Sequence, residues 1–248
     1  MTTQGKTNWL LAGAVALLGY LLGSISWARI IAGRVKPEAD ISRIEEPVPN
    51  SEAVFVTDSV SATAVRVHVG TRYGCLTAVL DMLKVALPTL LLRRWQPDKP
   101  YHLISALAGA IGHDWPLYYR FKGGRGESVI YGALLVIDAP GVLATNAAGA
   151  LLGLLAGNIL ILRWAGLVLM VPWLWWRTRS AAHVLYILGA NVVYWYSMRP
   201  ELQQYAELEG VGEAPTQEEL AEFLGMGSGL GRVLDRYSIP GLLARWRS

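Results

Sequence analysis

Phe121-Lys122-Gly123-Gly124-Arg125-Gly126 places two cations among three glycines. Glycines allow a tight turn whose N–H groups converge on one point, and Lys122 and Arg125 add positive charge, so the segment suits a phosphate. A basic interfacial loop touching lipid headgroups would have the same composition. The Gly-x4-Gly-Lys-Ser/Thr spacing of nucleotide hydrolases is absent. Just upstream, Gly112-His113-Asp114-Trp115-Pro116 closes an apolar run. His113 there has three readings: a base, a phosphate ligand, or a structural residue at the membrane interface. In Gly23-Ser24-Ile25-Ser26 the Ser24 hydroxyl could bond a phosphate or bond back to its own helix. Arg29 and Arg34 follow, and either can pair with an anion. Asp81 and Lys84 are one helical turn apart, a spacing that favours a structural ion pair making both charges tolerable. His68, His102 and His183 show no ligand spacing. No metal site is expected, and the single cysteine, Cys75, excludes an intramolecular disulfide.

These residues are carried by an unusually apolar chain. Of its 248 residues 53% are hydrophobic and 17% charged, against about 25% charged in soluble domains. Leu10–Trp27 has no charge, and Ser128–Ile161 has only Asp138. The composition predicts an all-α membrane protein with apolar segments at Trp9–Ala32, Thr71–Leu92, Tyr101–Trp115, Ser128–Asp138, Val142–Leu162, Ala165–Trp176 and Ala181–Met198. Spanning takes about 20 residues, so the third, fourth and sixth are short. They either tilt into a thinned region or are interrupted helices lining a polar cavity. Asp138-Ala139-Pro140-Gly141 is a natural break. The first segment reads as an uncleaved spanning helix.

One multi-helix transmembrane domain is expected over residues 1–200. It carries a polar loop at 33–70, irregular over Glu38–Asn50, and a polar tail occupies 201–248. In the tail, Glu201–Glu222 reads as a polar helix and Gly225–Gly231 as flexible. The basic and apolar Arg232–Arg247 suits a membrane surface or a docking partner, or frays. A net charge of +3 without a concentrated patch argues against nucleic acid. The distribution of Lys and Arg over the loops does not fix orientation.

Gly112-His-Asp-Trp-Pro116, followed by Phe121-Lys-Gly-Gly-Arg-Gly126, resembles the bacterial membrane glycerol-3-phosphate acyltransferases that use acyl phosphate. Their pattern is Gly-His-x-Phe-Pro, then Phe-Lys-Gly-Gly-Lys-Gly. Gly23-Ser24-Ile25 is similar to their first motif, with Ser26 where proline is usual. Asp40-Ile-Ser-Arg43 looks like their Asp-Ile-Arg neighbourhood, and Asp81-x-x-Lys84 like their Asp-x-x-Lys. The resemblance covers about residues 15–205. It implies a compact bundle of about seven transmembrane helices, some short or tilted, in the bacterial cytoplasmic (inner) membrane. It further implies acyl transfer from acyl phosphate to the 1-hydroxyl of sn-glycerol 3-phosphate, with no cofactor or metal. By that resemblance Ser24 orients a phosphate or the attacking hydroxyl. Lys122, Arg125 and the amides of Gly123, Gly124 and Gly126 hold phosphate and stabilise developing oxyanion charge. His113 positions the loop or bonds phosphate, and Arg34, Arg43 and Arg66 are acceptor candidates.

Departures are also visible. The family motif Gly-Ala-Thr-Asn-x-x-Arg-x-x-Gly corresponds to Ser61–Gly70, where asparagine has become Ala64 and arginine Val67. Arg66 falls one place early, about 100° away on a helix. Residues 45–59 read as an insertion. At Met198-Arg199-Pro200-Glu201-Leu202 the family's late histidine and asparagine are missing. An acyltransferase with another acceptor, or a non-catalytic member serving as scaffold or lipid-binding subunit of a membrane complex with a membrane-protein partner, are the alternative readings.

Overall fold

The computed structural model describes residues 7–48, 52–224, 226 and 228–240. Helix α1 (Trp9–Gly23) starts where Asn8 caps Leu11 N at 3.2 Å. The segment expected as one helix over Trp9–Ala32 is two. The first closes at Ser24, and α2 (Trp27–Val35) restarts with Ser26 as its N-cap. The serines offer side-chain bonds that compete with the helical ladder, which is why the chain breaks there.

Two strands follow, β1 (Ile44–Pro47) and β2 (Val54–Thr57), paired in a two-stranded sheet. The expectation of an irregular chain over Glu38–Asn50 is thus corrected at Ile44–Pro47; residues 49 and 50 lie outside the described set. Ser61 caps α3 (Ala62–His68), and α4 (Thr71–Trp95) and α5 (Tyr101–Asp114) follow. After a 3-10 turn at Leu117–Tyr119 come α6 (Glu127–Ala156), α7 (Ile159–Thr178) and α8 (Ala181–Ser197). The tail forms α9 (Arg199–Gly210), α10 (Gln217–Phe223) and α11 (Ser228–Tyr237).

The expected break at Asp138–Gly141 becomes a kink inside α6, with Asp138 at φ −156°, ψ 80°. Pro140 has no N–H to give the carbonyl of Val136, and the Arg93 guanidinium donates to that carbonyl instead. Among the described residues four segments are long and apolar enough to span a membrane: Trp9–Val35, Thr71–Trp95, Glu127–Ala156 and Ile159–Thr178. Helices α5 and α8 have 14 and 17 residues, about 21 and 26 Å of rise, short of a hydrocarbon core of about 30 Å. Among the described residues the apolar runs of the sequence thus become four segments of spanning length, the first of them broken between α1 and α2, and two shorter apolar helices.

The chain divides into two compact units. The first comprises Met1–Ile44, Thr57–Ala139 and Thr178–Arg199. In it α5 is packed by α1, α4 and α8, and the α1–α5 approach depends on missing side chains. A Cβ on Gly23 would lie 2.1 Å from the Gly109 carbonyl oxygen, and one on Gly112 would lie 2.1 Å from that of Tyr20. Small residues bring backbones together where lipid supplies no hydrophobic drive. An apolar cluster of Ala28, Ile31, Ile41, Val60, Ala64 and Val65 seats the polar loop and α3 against α2.

The second unit comprises Glu45–Val56, Pro140–Arg177 and Pro200–Ser248. Ile159, Leu220, Ala221 and Leu234 form its core. Gln217 Oε1 accepts from Ile159 N at 2.7 Å, and Arg163 donates to the Leu224 carbonyl at 2.8 Å. Gln204 of α9 accepts from Val56 N of β2 at 2.8 Å. The stretch expected to be flexible, Gly225–Gly231, is partly helical from Ser228. Gly231 lies so close to α10 that a Cβ would sit 2.3 Å from Glu218 Cα. The polar helix expected over Glu201–Glu222 is interrupted at 211–216, where Thr216 and Glu219 form a capping box that starts α10. Of the basic end expected over Arg232–Arg247, α11 takes up the part as far as Tyr237, and residues 241–247 lie outside the described residues.

Gly23→Val should lower the unfolding midpoint of the detergent-purified protein in a thermal scan. Overpacking at such a contact costs about 1–3 kcal/mol, whereas Gly13→Ala, with open space around it, should be neutral.

Candidate functional site

Lys84 is the hub of the polar residues. Its Nζ lies 2.8 Å from Asp81 Oδ1, donates to the Ile25 carbonyl at 2.6 Å and lies 2.9 Å from His113 Nδ1. The Asp81 and Lys84 side chains are only 3% and 4% exposed. The helical spacing supplies the ion pair; the structure adds two further partners. The Ile25 carbonyl is available because the chain breaks between α1 and α2. With the ammonium donating, His113 Nδ1 accepts, which places the proton of a neutral ring on Nε2.

The glycine loop is seated on the same histidine. Gly124 N donates to the His113 carbonyl at 3.2 Å. A Cβ on Gly124 would lie 2.3 Å from His113 Nε2, and one on Gly123 would lie 2.1 Å from the His113 carbonyl oxygen. Gly126 has φ +74°, and its missing Cβ would meet the Asp114 carboxylate at 2.8 Å. These glycines therefore serve close backbone approach to the end of α5. One amide expected to hold phosphate, that of Gly124, is already bonded within the protein.

Ser24 is buried, and its hydroxyl is used in both directions. It donates to the Tyr20 carbonyl at 2.9 Å and accepts from Leu117 N at 3.2 Å. In this conformation it back-bonds to its helix and anchors the 3-10 turn, rather than presenting a free donor for a phosphate. Tyr20 closes the same corner by donating to the Trp115 carbonyl at 2.8 Å. Beyond the turn, Arg120 and Phe121 adopt left-handed conformations with φ 53° and 61°. Each costs about 1–3 kcal/mol for a side chain with a Cβ and persists only where surrounding contacts fix it. Two backbone bonds do so here, Phe121 N to the Pro116 carbonyl at 3.0 Å and Lys122 N to the Tyr119 carbonyl at 3.1 Å.

The cations around the loop differ in their surroundings. Lys122 is exposed. Arg125 donates to the Asp58 carbonyl at 3.2 Å, and its own carbonyl accepts from Ser197 at 3.2 Å. Arg29 of α2 donates to the Lys122 carbonyl at 3.1 Å and lies over the Tyr119 ring. Arg43 is 3.9 Å from the Asp58 carboxylate. Arg66 is half-buried on α3 at the contact with Gly74 of α4, and Arg34 is exposed in the last turn of α2. The Asp40 carboxyl is held below its ordinary range by the hydroxyl and N–H of Ser42.

The structure thus gathers Ser24, Asp81, Lys84, His113 and the 122–126 loop, and places Arg43 beside Asp58 and Arg66 on α3. The two departures on α3 have different settings: Ala64 is 0% exposed in the apolar cluster, whereas Val67 is 45% exposed. The roles of Tyr20, Tyr119, Ser197 and the buried Asp114 carried no spacing signal in the sequence. Asp114 was legible only as the neighbour of His113. Among the described residues no group of three or more His, Cys, Asp or Glu side chains is arranged to hold a metal ion.

A family profile described as glycerol-3-phosphate acyltransferase matches residues 13–207. A glycerol-3-phosphate acyltransferase of Pseudomonas putida KT2440 is 31% identical over 186 residues, covering 75% of this chain and 90% of the relative. One from Myxococcus xanthus DK1622 is 31% identical over 135 residues, covering 54% of this chain and 64% of the relative. Among solved structures, PlsY, an integral membrane glycerol 3-phosphate acyltransferase, matches in its glycerol 3-phosphate form with a TM-score of 0.64 at 22% identity. That match covers 82% of this chain and 94% of PlsY. The lysophosphatidic acid form of PlsY matches with a TM-score of 0.60 at 21% identity and the same coverage.

Lys84→Met should destabilise the fold by about 3–5 kcal/mol, because it leaves the buried Asp81 carboxylate without its ammonium partner. The double variant Asp81→Leu, Lys84→Met should recover much of that loss in thermal unfolding. Ala64→Asn should cost about 1–3 kcal/mol by burying an amide among apolar side chains, while Val67→Arg should leave the unfolding midpoint unchanged.

Proposed function

We propose, from the premise that the chain belongs to the glycerol-3-phosphate acyltransferase family, that it moves a fatty acyl group from an acyl phosphate to the 1-hydroxyl of sn-glycerol 3-phosphate. The products are lysophosphatidic acid and inorganic phosphate. The observation that carries this reading is the basic glycine loop seated on the buried Lys84–His113 pair, with Lys122 exposed at its edge. Apolar helices beside such a loop suit a substrate with a long chain at one end and a phosphate at the other. The chain's spans and its bacterial relatives support placement in the bacterial cytoplasmic membrane.

No side chain of the cluster is disposed as a nucleophile, since Ser24 is occupied by Tyr20 and Leu117. The acceptor hydroxyl attacks the acyl carbon directly. A C–O bond forms to glycerol 3-phosphate, and the acyl–phosphate C–O bond breaks with its electron pair leaving on phosphate. The hydroxyl proton passes to that leaving phosphate. Lys122, aided by Arg125, binds the phosphate and offsets charge gathering on it as the bond breaks. His113 holds the loop through its carbonyl and ring. Arg34, Arg43 and Arg66 are the acceptor-side cations.

Ala64 and Val67 favour a second reading, acyl transfer to a different acceptor, because a charge-assisted contact is missing where the family pattern has arginine. Such a contact is worth about 1.5–3 kcal/mol, enough to change substrate preference.

Purified protein supplied with palmitoyl phosphate and radiolabelled glycerol 3-phosphate should form lysophosphatidic acid. Lys122→Ala should reduce kcat/KM by about ten- to a hundred-fold without changing the unfolding midpoint. Full activity in that variant would remove Lys122 from the mechanism. Absence of product from folded wild-type protein, with turnover on another hydroxyl acceptor, would establish the second reading.

A further inference from the structure

We propose that Arg29 is a positioning residue of the phosphate loop, the clamp that holds a strained turn in the shape that presents Lys122. This inference rests on the acyl-transfer reading for its effect on rate, but not for its effect on the loop itself.

The loop begins with two consecutive left-handed residues, Arg120 and Phe121, neither of them glycine. Such a turn opens unless contacts on both of its sides resist. Arg29 makes both contacts. Its guanidinium carbon lies 4.9 Å from the centre of the Tyr119 ring, before the strained pair. Its Nη2 donates to the Lys122 carbonyl at 3.1 Å, after the pair. The backbone bond from Lys122 N to the Tyr119 carbonyl closes the same turn. The carbonyl that Arg29 grips belongs to the residue that supplies the exposed cation, and the next residues, Gly123 and Gly124, pack on His113. Arg29 also ties α2, which starts at the Ser24–Ser26 break, to this loop. Stacking on a ring while donating from a planar fork is a task for guanidinium, which an ammonium performs only in part.

Loss of the clamp releases the turn and misplaces Lys122 without removing any charge that touches substrate. Arg29→Gln should therefore lower kcat/KM about ten-fold, and Arg29→Lys less. In a Lys122→Ala background, Arg29→Gln should cost almost nothing further, because a clamp has no effect once the group it positions is gone. Multiplicative losses in the double variant would overturn the proposal, as would a lowered unfolding midpoint with unchanged kcat/KM.

Hydrogen–deuterium exchange over 117–124 tests the clamp independently of turnover. Arg29→Gln should speed exchange of the Phe121 and Lys122 amides about ten-fold or more while the α4 and α5 amides keep their rates. Unchanged exchange at those two amides would refute the clamp even if the enzyme were active. A wild-type protein without acyl-transfer activity, whose loop is nevertheless loosened by Arg29→Gln, would overturn the acyl-transfer reading alone. Should Arg29→Gln fail to fold, Tyr119→Leu removes the stacking contact, along with an edge contact to Tyr118, keeps the Arg29 bond to the Lys122 carbonyl and is read by the same two measurements.

Discussion

A buried ammonium needs partners on every side, and in this protein that requirement ties the motifs together. Lys84 sits in an apolar interior where an isolated charge would be very costly. Asp81 supplies the countercharge from the same helix, but one carboxylate contact does not use all three N–H groups. The Ile25 carbonyl and the His113 ring take the others. Through those bonds α4 is linked to the break between α1 and α2 and to the end of α5. The break that looks like a defect in the first helix is what exposes an acceptor to Lys84, and the histidine at the end of α5 is fixed in ring orientation by the same ammonium.

Once His113 is fixed, the glycine loop has a surface to lie on. The sequence suggests a nest of amides around a phosphate, whereas the structure gives the glycines another task as well. Positions 123, 124 and 126 lack Cβ atoms because His113 and Asp114 occupy the space where they would project. Backbone so close to a rigid helix end is pre-organised, and pre-organised charge is what stabilises a transition state cheaply. The cost is visible at Arg120 and Phe121, and Arg29, Pro116 and Tyr119 meet it with local contacts.

The segments that depart from the family pattern are structured in their own right. Strands β1 and β2 pair, with β2 held by Gln204, and the tail builds a small helical core around Ile159, Leu220 and Leu234. On α3, Ala64 continues the apolar cluster and Val67 faces outward. The asparagine and arginine of the family pattern are thus replaced by residues suited to a core and to a surface.

The apolar, helical, membrane-bound character of the chain is legible in its residues alone, because long runs without charge have few other stable solutions. So are the Asp81–Lys84 pair, since helical spacing is local, and the basic glycine loop with its resemblance to the acyltransferases. That the Trp9–Ala32 run breaks at the serines, and that the run around Asp138 kinks rather than ends, is visible in the fold and not before it. The fold alone decided that Ser24 is spent on Tyr20 and Leu117, and that Arg29 reaches Lys122. The physical reason is sequence distance. Arg29 and Lys122 are 93 positions apart, and Lys84 and Ile25 are 59. No propensity or periodicity reports which far carbonyl a buried cation will find; the packing of α1, α4 and α5 brings the carbonyl to it.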